Sequence, residues 1–442
     1  MKINLISHYY PPEIGAPQAR LSEMAGEWVK QGHEVTVLTG FPNHPTGVIP
    51  SGYKGKVFMK EVVNDVRVWR HWLYATPNEG FFKKILAHIS FMASLILLSL
   101  FRGERPDVLI VSSPNFFSVI SAYIISRVRR VPYIFEVRDL WPGIFIELGV
   151  LKNIYIIRML EAIELFLYRN AALVVPVTNG FAEDMIRRKI PFYKVQVITN
   201  GVDLDTYRPC KGHLGPLRAE IGIPEDKFII LYIGAHGISH GLAKVIEAAE
   251  SIKEETDVHF LFVGEGAVKA SLVKSAKGRN IQNVTFLPGQ SRDKVINFYH
   301  LADVCLVPLR DVSGFSAFIP SKMFEIMACG KPIIASLRGE AADILTNSGA
   351  AMVIPPENPE ELARAVKILK GDSQRRGQMG QNGRAFVEKN YDRKILAKRY
   401  LELIESIPRS FASASNPAGP DAQKRKPDSA CPDRSRGQAS VE

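Results

Sequence analysis

The sequence predicts a doubly wound α/β protein made of two Rossmann-like parallel-sheet domains in series. Three observations predict it. Short apolar runs alternate with longer stretches of helical spacing along most of the chain. The alternation pauses and restarts around residues 204–222. The chain has 442 residues, too many for one ordinary core and enough for two domains of roughly 200 residues each.

The elements follow in order. Lys2–Ser7 is a short apolar run that fits a buried strand, and His8 to Ala19 is a loop rich in Pro and Gly. In Arg20–Gln31, Leu21, Met24, Ala25, Trp28 and Val29 fall on one helical face, and Gly32 is a stop signal. Glu34–Thr39 reads as the next strand. The pattern then repeats: strand Val108–Val111, helix Phe116–Val128, strand Tyr133–Val137, helix Ile154–Leu167, and strands Leu173–Val177 and Val195–Ile198. A second series has strands at Phe228–Ile233, Val258–Val263, Val284–Leu287, Val304–Val307 and Pro332–Ala335, with a helix at Leu242–Lys253. Strands alternating with helices imply parallel sheets. Ligands of such sheets bind beyond the carboxyl ends of the strands, so a cleft between the domains is the expected site. The expected division is 1–203, 204–408 and a tail, 409–442. The tail is rich in Ser, Ala, Pro, Asp, Lys and Arg and has almost no large apolar residues, so it is expected to be disordered.

Composition narrows the function classes. Hydrophobic residues make up 46% and charged residues 23%, the balance of a soluble globular chain. The net charge of +11 suits anionic partners such as nucleotides, diphosphates or lipid headgroups. A nucleic-acid-binding domain should carry a dense basic stripe. Here bases are interleaved with acids, apart from short runs such as Arg187-Arg188-Lys189, so no nucleic-acid partner is expected. Cys210, Cys305, Cys329 and Cys431 include no CxxC pair and suggest neither a zinc site nor a disulfide framework. The start MKINLIS lacks the long apolar stretch and cleavage site of a secretory signal, so a cytosolic chain is expected.

The chemistry concentrates in Ile319-Pro320-Ser321-Lys322-Met323-Phe324-Glu325, followed by IMACGKPIIA. Pro320 suits the first position of a helix and Gly330 its end. Backbone N–H groups at Ser321 and Lys322 would then face a phosphate, with the Lys322 ammonium adding attraction. Glu325, one turn on, could accept hydrogen bonds from a pair of ribose hydroxyls. The alternative is a surface ion pair between Lys322 and Glu325 at i,i+3.

This segment resembles the C-terminal signature of the family 4 retaining glycosyltransferases, which have the GT-B fold. The resemblance covers about residues 1–405, and further landmarks recur in order. HYYPPEIGAPQARLSEMAGEWVKQGHEVTVLTG is similar to the family's N-terminal loop and helix, and VPYIFEVRDLWP to its strand before an HD pair. VITNGVDLDTYRP resembles its inter-domain segment, ILYIGAHGISHGL its diphosphate loop, and FLFVGEGAVK its G-x-G turn. The wording EVRDLWP and IPSKMFEIMACGKPI is most similar to the WbuB-like branch, the fucosamine transferases of O-antigen and capsule synthesis.

The resemblance implies roles. Glu325 matches the second glutamate of the family's E-x7-E motif, which holds the ribose. The first falls at Ala317 and is absent. The diphosphate loop's cations fall at Ala235 and His240, so His236 and Gly237 backbone groups, with Lys322, are the expected substitutes. The HD pair becomes Arg138-Asp139. Expected catalytic residues are therefore Arg138, Asp139 and Lys322. Expected donor-binding residues are Gly15, His236, Gly237, Gly264, Gly266, Ser321, Lys322 and Glu325. The alternative for Asp139 is a helix cap, and for Gly15 a plain turn residue. Arg20 and Arg310 are further candidate phosphate ligands.

No metal and no cofactor is implied beyond the nucleotide-diphosphate sugar that serves as donor. The implied acceptor is a polyprenyl-diphosphate-linked saccharide. A rival of the same fold is a UDP-N-acetylhexosamine 2-epimerase. Residues 85–101, ILAHISFMASLILLSLF, are the most apolar run. At about 17 residues a span is at its lower limit. A span would also split the first sheet across the bilayer. A helix buried on its inner face, with basic flanks lying on an anionic membrane surface, is expected instead.

Overall fold

The computed structural model describes residues 1–408 except 14, 45, 77–80, 103, 114, 144–145, 147–150 and 211–214. The expected disorder of 409–442 lies outside the described residues. Residues Met1–Ile407 form one compact unit.

Its first sheet begins with β1 (Lys2–Ile6), α1 (Ala16–Lys30) and β2 (Glu34–Gly40), the unit that the sequence marks out. Next come β3 (Phe58–Val63) and β4 (Val66–His71), an antiparallel hairpin that the helical and strand spacing left unmarked. Its turn is Asn64-Asp65, both at positive φ, as a two-residue turn matched to strand twist requires. Then follow α2 (Phe81–Arg102), β5 (Val108–Ser112), α3 (Phe116–Arg129), β6 (Tyr133–Val137), α4 (Ile154–Asn170), β7 (Leu173–Pro176) and α5 (Asn179–Arg187). The strand order is β3-β4-β2-β1-β5-β6-β7. The order reverses beside β1, so the crevice at the ends of β1 and β5 is the natural ligand position. The strand expected at Val195–Ile198 is not one. Val195 makes a single bridge to Val174, and the N–H groups of Gln196 and Ile198 donate to Val174 O and Pro176 O, so the chain runs beside β7 without forming a ladder.

The second sheet is wholly parallel. It contains α6 (Gly215–Glu220), β8 (Phe228–Ile233), α7 (Leu242–Ser251), β9 (Val258–Val263), α8 (Lys269–Gly278), β10 (Val284–Leu287), α9 (Arg292–Leu301), β11 (Val304–Pro308) and α10 (Lys322–Ala328). It ends with β12 (Ile333–Ser336), α11 (Glu340–Ser348), β13 (Ala351–Ile354), α12 (Pro359–Gly371), α13 (Ser373–Asn390) and α14 (Arg393–Glu405). The order is β10-β9-β8-β11-β12-β13, with its reversal beside β8.

The chain crosses between the sheets twice, side by side. Val202 N–H donates to Tyr391 O at 2.9 Å, and Arg393 N–H returns to Val202 O at 3.0 Å. Gly201 permits this approach, since a Cβ there would stand 2.5 Å from Tyr391 O. After the return, α14 packs on α1 of the first sheet. Trp28 Nε1–H donates to Ala397 O at 3.0 Å, and its ring meets Tyr400 edge-on. α14 thereby extends the core that covers one face of β1 and β2.

Candidate functional site between the two sheets

The carboxyl ends of both sheets face a cleft, and charged side chains from distant segments converge on it. On the first-sheet side, Arg20 of α1 and Glu136 of β6 form a fully buried pair at 3.0 Å. The remaining donors of Arg20 go to the carbonyls of Thr199 (2.6 Å) and Ile198 (2.9 Å) and to Asn200. Arg20 is therefore saturated and ties α1 to the first crossing; it is not a free phosphate ligand. Burial alone would raise the Glu136 carboxyl, but Arg20, Arg138 and the Ser112 hydroxyl outweigh it and hold it low.

Arg138 follows directly. Its backbone N–H donates to Ser113 Oγ at 2.8 Å, which fixes the end of β6 against the loop after β5. Its Nε and Nη1 are buried and have no hydrogen-bond partner. Burial depresses its pKa, opposed by Glu136 and Asp139. Burial raises the Asp139 carboxyl, opposed by Arg138. Gly15 stands at the start of α1, one turn before Arg20.

On the second-sheet side, Ser321 precedes α10, shorter than the helix expected from Pro320. Lys322 Nζ is buried, has no hydrogen-bond partner, and lies 4.1 Å over the Tyr232 ring. Burial pushes its pKa down to about 8. Gly234 makes room for it, since a Cβ there would sit 2.7 Å from Nζ. His236 is fully buried with neither ring nitrogen partnered, and burial followed by Lys269 lowers its pKa to about 4. Its backbone N–H, expected to face phosphate, instead donates to Glu265 O at 2.8 Å. That corrects the sequence reading: the ring of His236, not its amide, is the unsatisfied group. Gly264 and Gly266 explain the bond. A Cβ at either would collide with the backbone of 234–236, so these glycines shape that loop. Gly237 O accepts from His240 N–H at 3.2 Å. Burial, then Lys322, holds the His240 imidazole at about 3. Arg310 is already paired with Glu357, at 3.7 Å.

Glu325 accepts from the Tyr299 hydroxyl at 2.8 Å. Burial raises its pKa against Tyr299, Arg292 and Arg393. It lines a small cleft with Ser321, Arg20, Asn200, Tyr207, Arg292 and Arg393. Arg292 and Arg393 were missed by the sequence reading. Both pair with Glu23 of α1, Arg393 at 2.9 Å. Neither lies in a motif, and Glu23 is far from both in sequence, so only the fold brings the three together.

Ala317 also has a definite place. It packs on Gly180 at the start of α5, where a Cβ on Gly180 would stand 2.5 Å from the Ala317 Cβ. Beside it, Glu340 accepts from Asn179 N–H (2.9 Å), Asn179 Nδ2 (2.9 Å) and Gly180 N–H (2.8 Å) across the cleft. Among the described residues no group of three or more His, Cys, Asp or Glu is arranged to hold a metal ion.

Two family models match adjacent stretches: a glycosyl transferase 4-like domain over residues 15–201 and glycosyl transferases group 1 over residues 216–386. The chain is 27% identical over 376 residues to an Escherichia coli K12 protein named as a colanic acid biosynthesis glycosyl transferase, WcaI. That match covers 83% of this chain and 91% of the relative. Two solved structures share the fold. Sucrose-phosphate synthase from Thermosynechococcus elongatus has a TM-score of 0.71 at 19% identity, over 91% of this chain and 98% of that one. Anabaena Alr3699/HepE in complex with UDP and glucose has 0.69 at 18%, over 92% of this chain and 100% of that one. The sheets, the cleft and the paired family models lead to one conclusion: the chain is a glycosyltransferase of the GT-B, family 4-like type, with a glycosyl transferase 4-like domain followed by a group 1 domain.

Proposed function

We propose that the protein is a retaining enzyme of surface polysaccharide synthesis. It moves a sugar from a nucleotide-diphosphate sugar to a lipid-linked saccharide. The carrying observation is that Lys322 Nζ, the His236 ring nitrogens and the Arg138 Nε and Nη1, which follow the carboxyl ends of β11, β8 and β6, are buried without hydrogen-bond partners. Unmet polar groups of this kind are costly unless a ligand satisfies them. A diphosphate satisfies them, with Glu325 placed for the ribose. Residues 204–408 are the donor side and 1–203 the acceptor side. A UDP-linked donor is supported by the UDP complex of HepE, and N-acetylfucosamine by the resemblance to the WbuB-like branch.

In the reaction the anomeric C–O bond to the diphosphate breaks and a bond to the acceptor oxygen forms on the same face. The acceptor proton passes to the departing diphosphate. The protein's part is to hold donor and acceptor together and to meet the growing negative charge with Lys322 and Arg138. Asp139 orients Arg138.

Peripheral attachment to the cytoplasmic face of the membrane completes the reading. α2 is the one helix among the described residues long and apolar enough to span, yet it lies between β4 and β5 of one sheet. Phe91 and Leu95 face the core, while Leu97 and Phe101 are 57% and 84% exposed.

A donor panel read by thermal shift tests the function, because a ligand of the native state raises the melting temperature. UDP-linked sugars should raise it more than GDP-linked ones, and Lys322→Ala should abolish the shift. No shift with any nucleotide would overturn the donor site. Isomerised sugar formed without acceptor would assign the fold to an epimerase.

A further inference from the structure

We propose that Glu23, on α1 of the first domain, is a positioning residue of the nucleotide site on the second: it shares two arginines, Arg292 and Arg393, with Glu325. The inference rests on the ribose reading of Glu325 above and adds the residue that tunes it.

Three distant segments supply the geometry. Glu23 is largely buried, and each of its carboxylate oxygens takes one arginine. Oε1 accepts from Arg292 Nη2, at the start of α9. Oε2 lies 2.9 Å from Arg393 Nε, at the start of α14, in an ion pair that makes no hydrogen bond. The same two arginines line one small cleft with Glu325 and Ser321. Ala19 and Arg20, one turn before Glu23 on α1, line it too. One carboxylate from each domain thus faces the same pair of cations.

The pair is not saturated by Glu23. Arg393 gives Nη2 to Gly201 O, but its Nη1 is buried with no hydrogen-bond partner. Arg292 lies over the Tyr207 ring, 5.9 Å from its centroid, with 37% of its side chain exposed. The groups facing Glu325 are Tyr299 and Arg292 of α9, Tyr207 after the first crossing, Arg393 of α14, and Lys322 and Cys329 beside it in sequence. Burial raises the Glu325 carboxyl, and Tyr299, Arg292, Arg393 and Lys322 oppose it in that order. Burial, then the crowding of Arg20 and Arg292, brings Arg393 down to about 9.

The consequence has a sign. Without the Glu23 charge, Arg292 and Arg393 act on Glu325 alone, and its carboxylate persists to lower pH. Without Arg292, burial gains and the carboxylate takes up its proton at higher pH. A ribose hydroxyl binds the ionised carboxylate more strongly than the neutral acid. Glu23 belongs to the first domain and Glu325 to the second, so the strength of the ribose contact depends on where α1 sits.

Calorimetry of the full chain with UDP and with 2′,3′-dideoxy-UDP, from neutral into acidic pH, tests this. The ratio of the two affinities isolates the hydroxyl contact and cancels the titration of the diphosphate, Lys322 and His236. In wild type the ratio should fall on acidification, and Glu325→Gln should flatten it. Glu23→Gln should move that fall to lower pH, and Arg292→Gln to higher pH, each by about half a unit or more. The double variant, which removes one charge of each sign, should return toward wild type. A purely structural Glu23 would not produce shifts of opposite sign. Midpoints that stay in place, or that move in one direction in both single variants, overturn the proposal and leave the ribose contact standing. So does a double variant that keeps either single shift in full. Equal affinity of wild type for the two ligands, or no binding of UDP, overturns the ribose reading and this one with it.

Discussion

Lys322 is held in a state that only a ligand relieves. Its pKa near 8 arises mainly from burial, with Glu325 pulling the other way. A diphosphate needs the ammonium, so donor affinity should fall as pH rises through about 8. Lys322→Arg should remove that dependence, because guanidinium stays charged. A pH-independent affinity in wild type would take Lys322 out of the site. The same shift acts on stability. The folded pKa lies below the ordinary 10.5, so between about pH 8 and 10.5 the unfolded chain binds more protons and stability rises with pH. At neutral pH the buried ammonium is a cost, and Lys322→Met should raise the melting temperature while removing turnover. A lower melting temperature in that variant would mean the charge is already compensated. Glu325→Ala should weaken donor binding by about 1.5–3 kcal/mol, the range for hydrogen bonds to a charged group. Unchanged affinity in a folded variant would exclude the ribose role.

At the scale of elements, the contact between α5 and the turn before α10 joins the two sheets. Glu340 grips the start of α5 while Ala317 packs on Gly180. Gly180→Ala should cost about 1–3 kcal/mol by overpacking, and Ala317→Gly in the same chain should recover part of it. Additive losses in that double-mutant cycle would show the two residues to be uncoupled. The buried Arg20–Glu136 pair ties α1 to β6 in the same manner. Either partner changed to Ala should cost about 3–5 kcal/mol, since the other charge stays buried without its ion partner. Denaturant melts would measure it.

At the scale of the molecule, charge and shape bear on the membrane together. The chain carries +11, and α2 turns an apolar face outward. Flotation with anionic vesicles should recover the protein at low salt and less at high salt. Leu97→Glu/Phe101→Glu should stay unbound without loss of fold, because both side chains are exposed. Equal recovery of wild type with and without vesicles would leave α2 as a core helix alone.

The sequence by itself determined the two parallel sheets and the segment Ser321–Glu325. These rest on local periodicity and on short-range spacing, which a chain carries wherever it goes. Most predicted strands match closely for that reason, as at Phe228–Ile233 and Val258–Val263. The hairpin of β3 and β4 escaped because charged residues such as Lys60, Glu61, Arg67 and Arg70 interrupt its runs, whereas the edge strand β13, Ala351–Ile354, is apolar throughout and lay outside the reading all the same. Only the tertiary structure decided which candidates are free. Arg20 and the His236 amide carry the right chemistry in sequence, yet both are spent on internal hydrogen bonds. Arg292 and Arg393 carry no motif, yet reach Glu23 and the cleft. Whether a polar group is spent or available depends on partners distant in sequence, and those partners are set by packing.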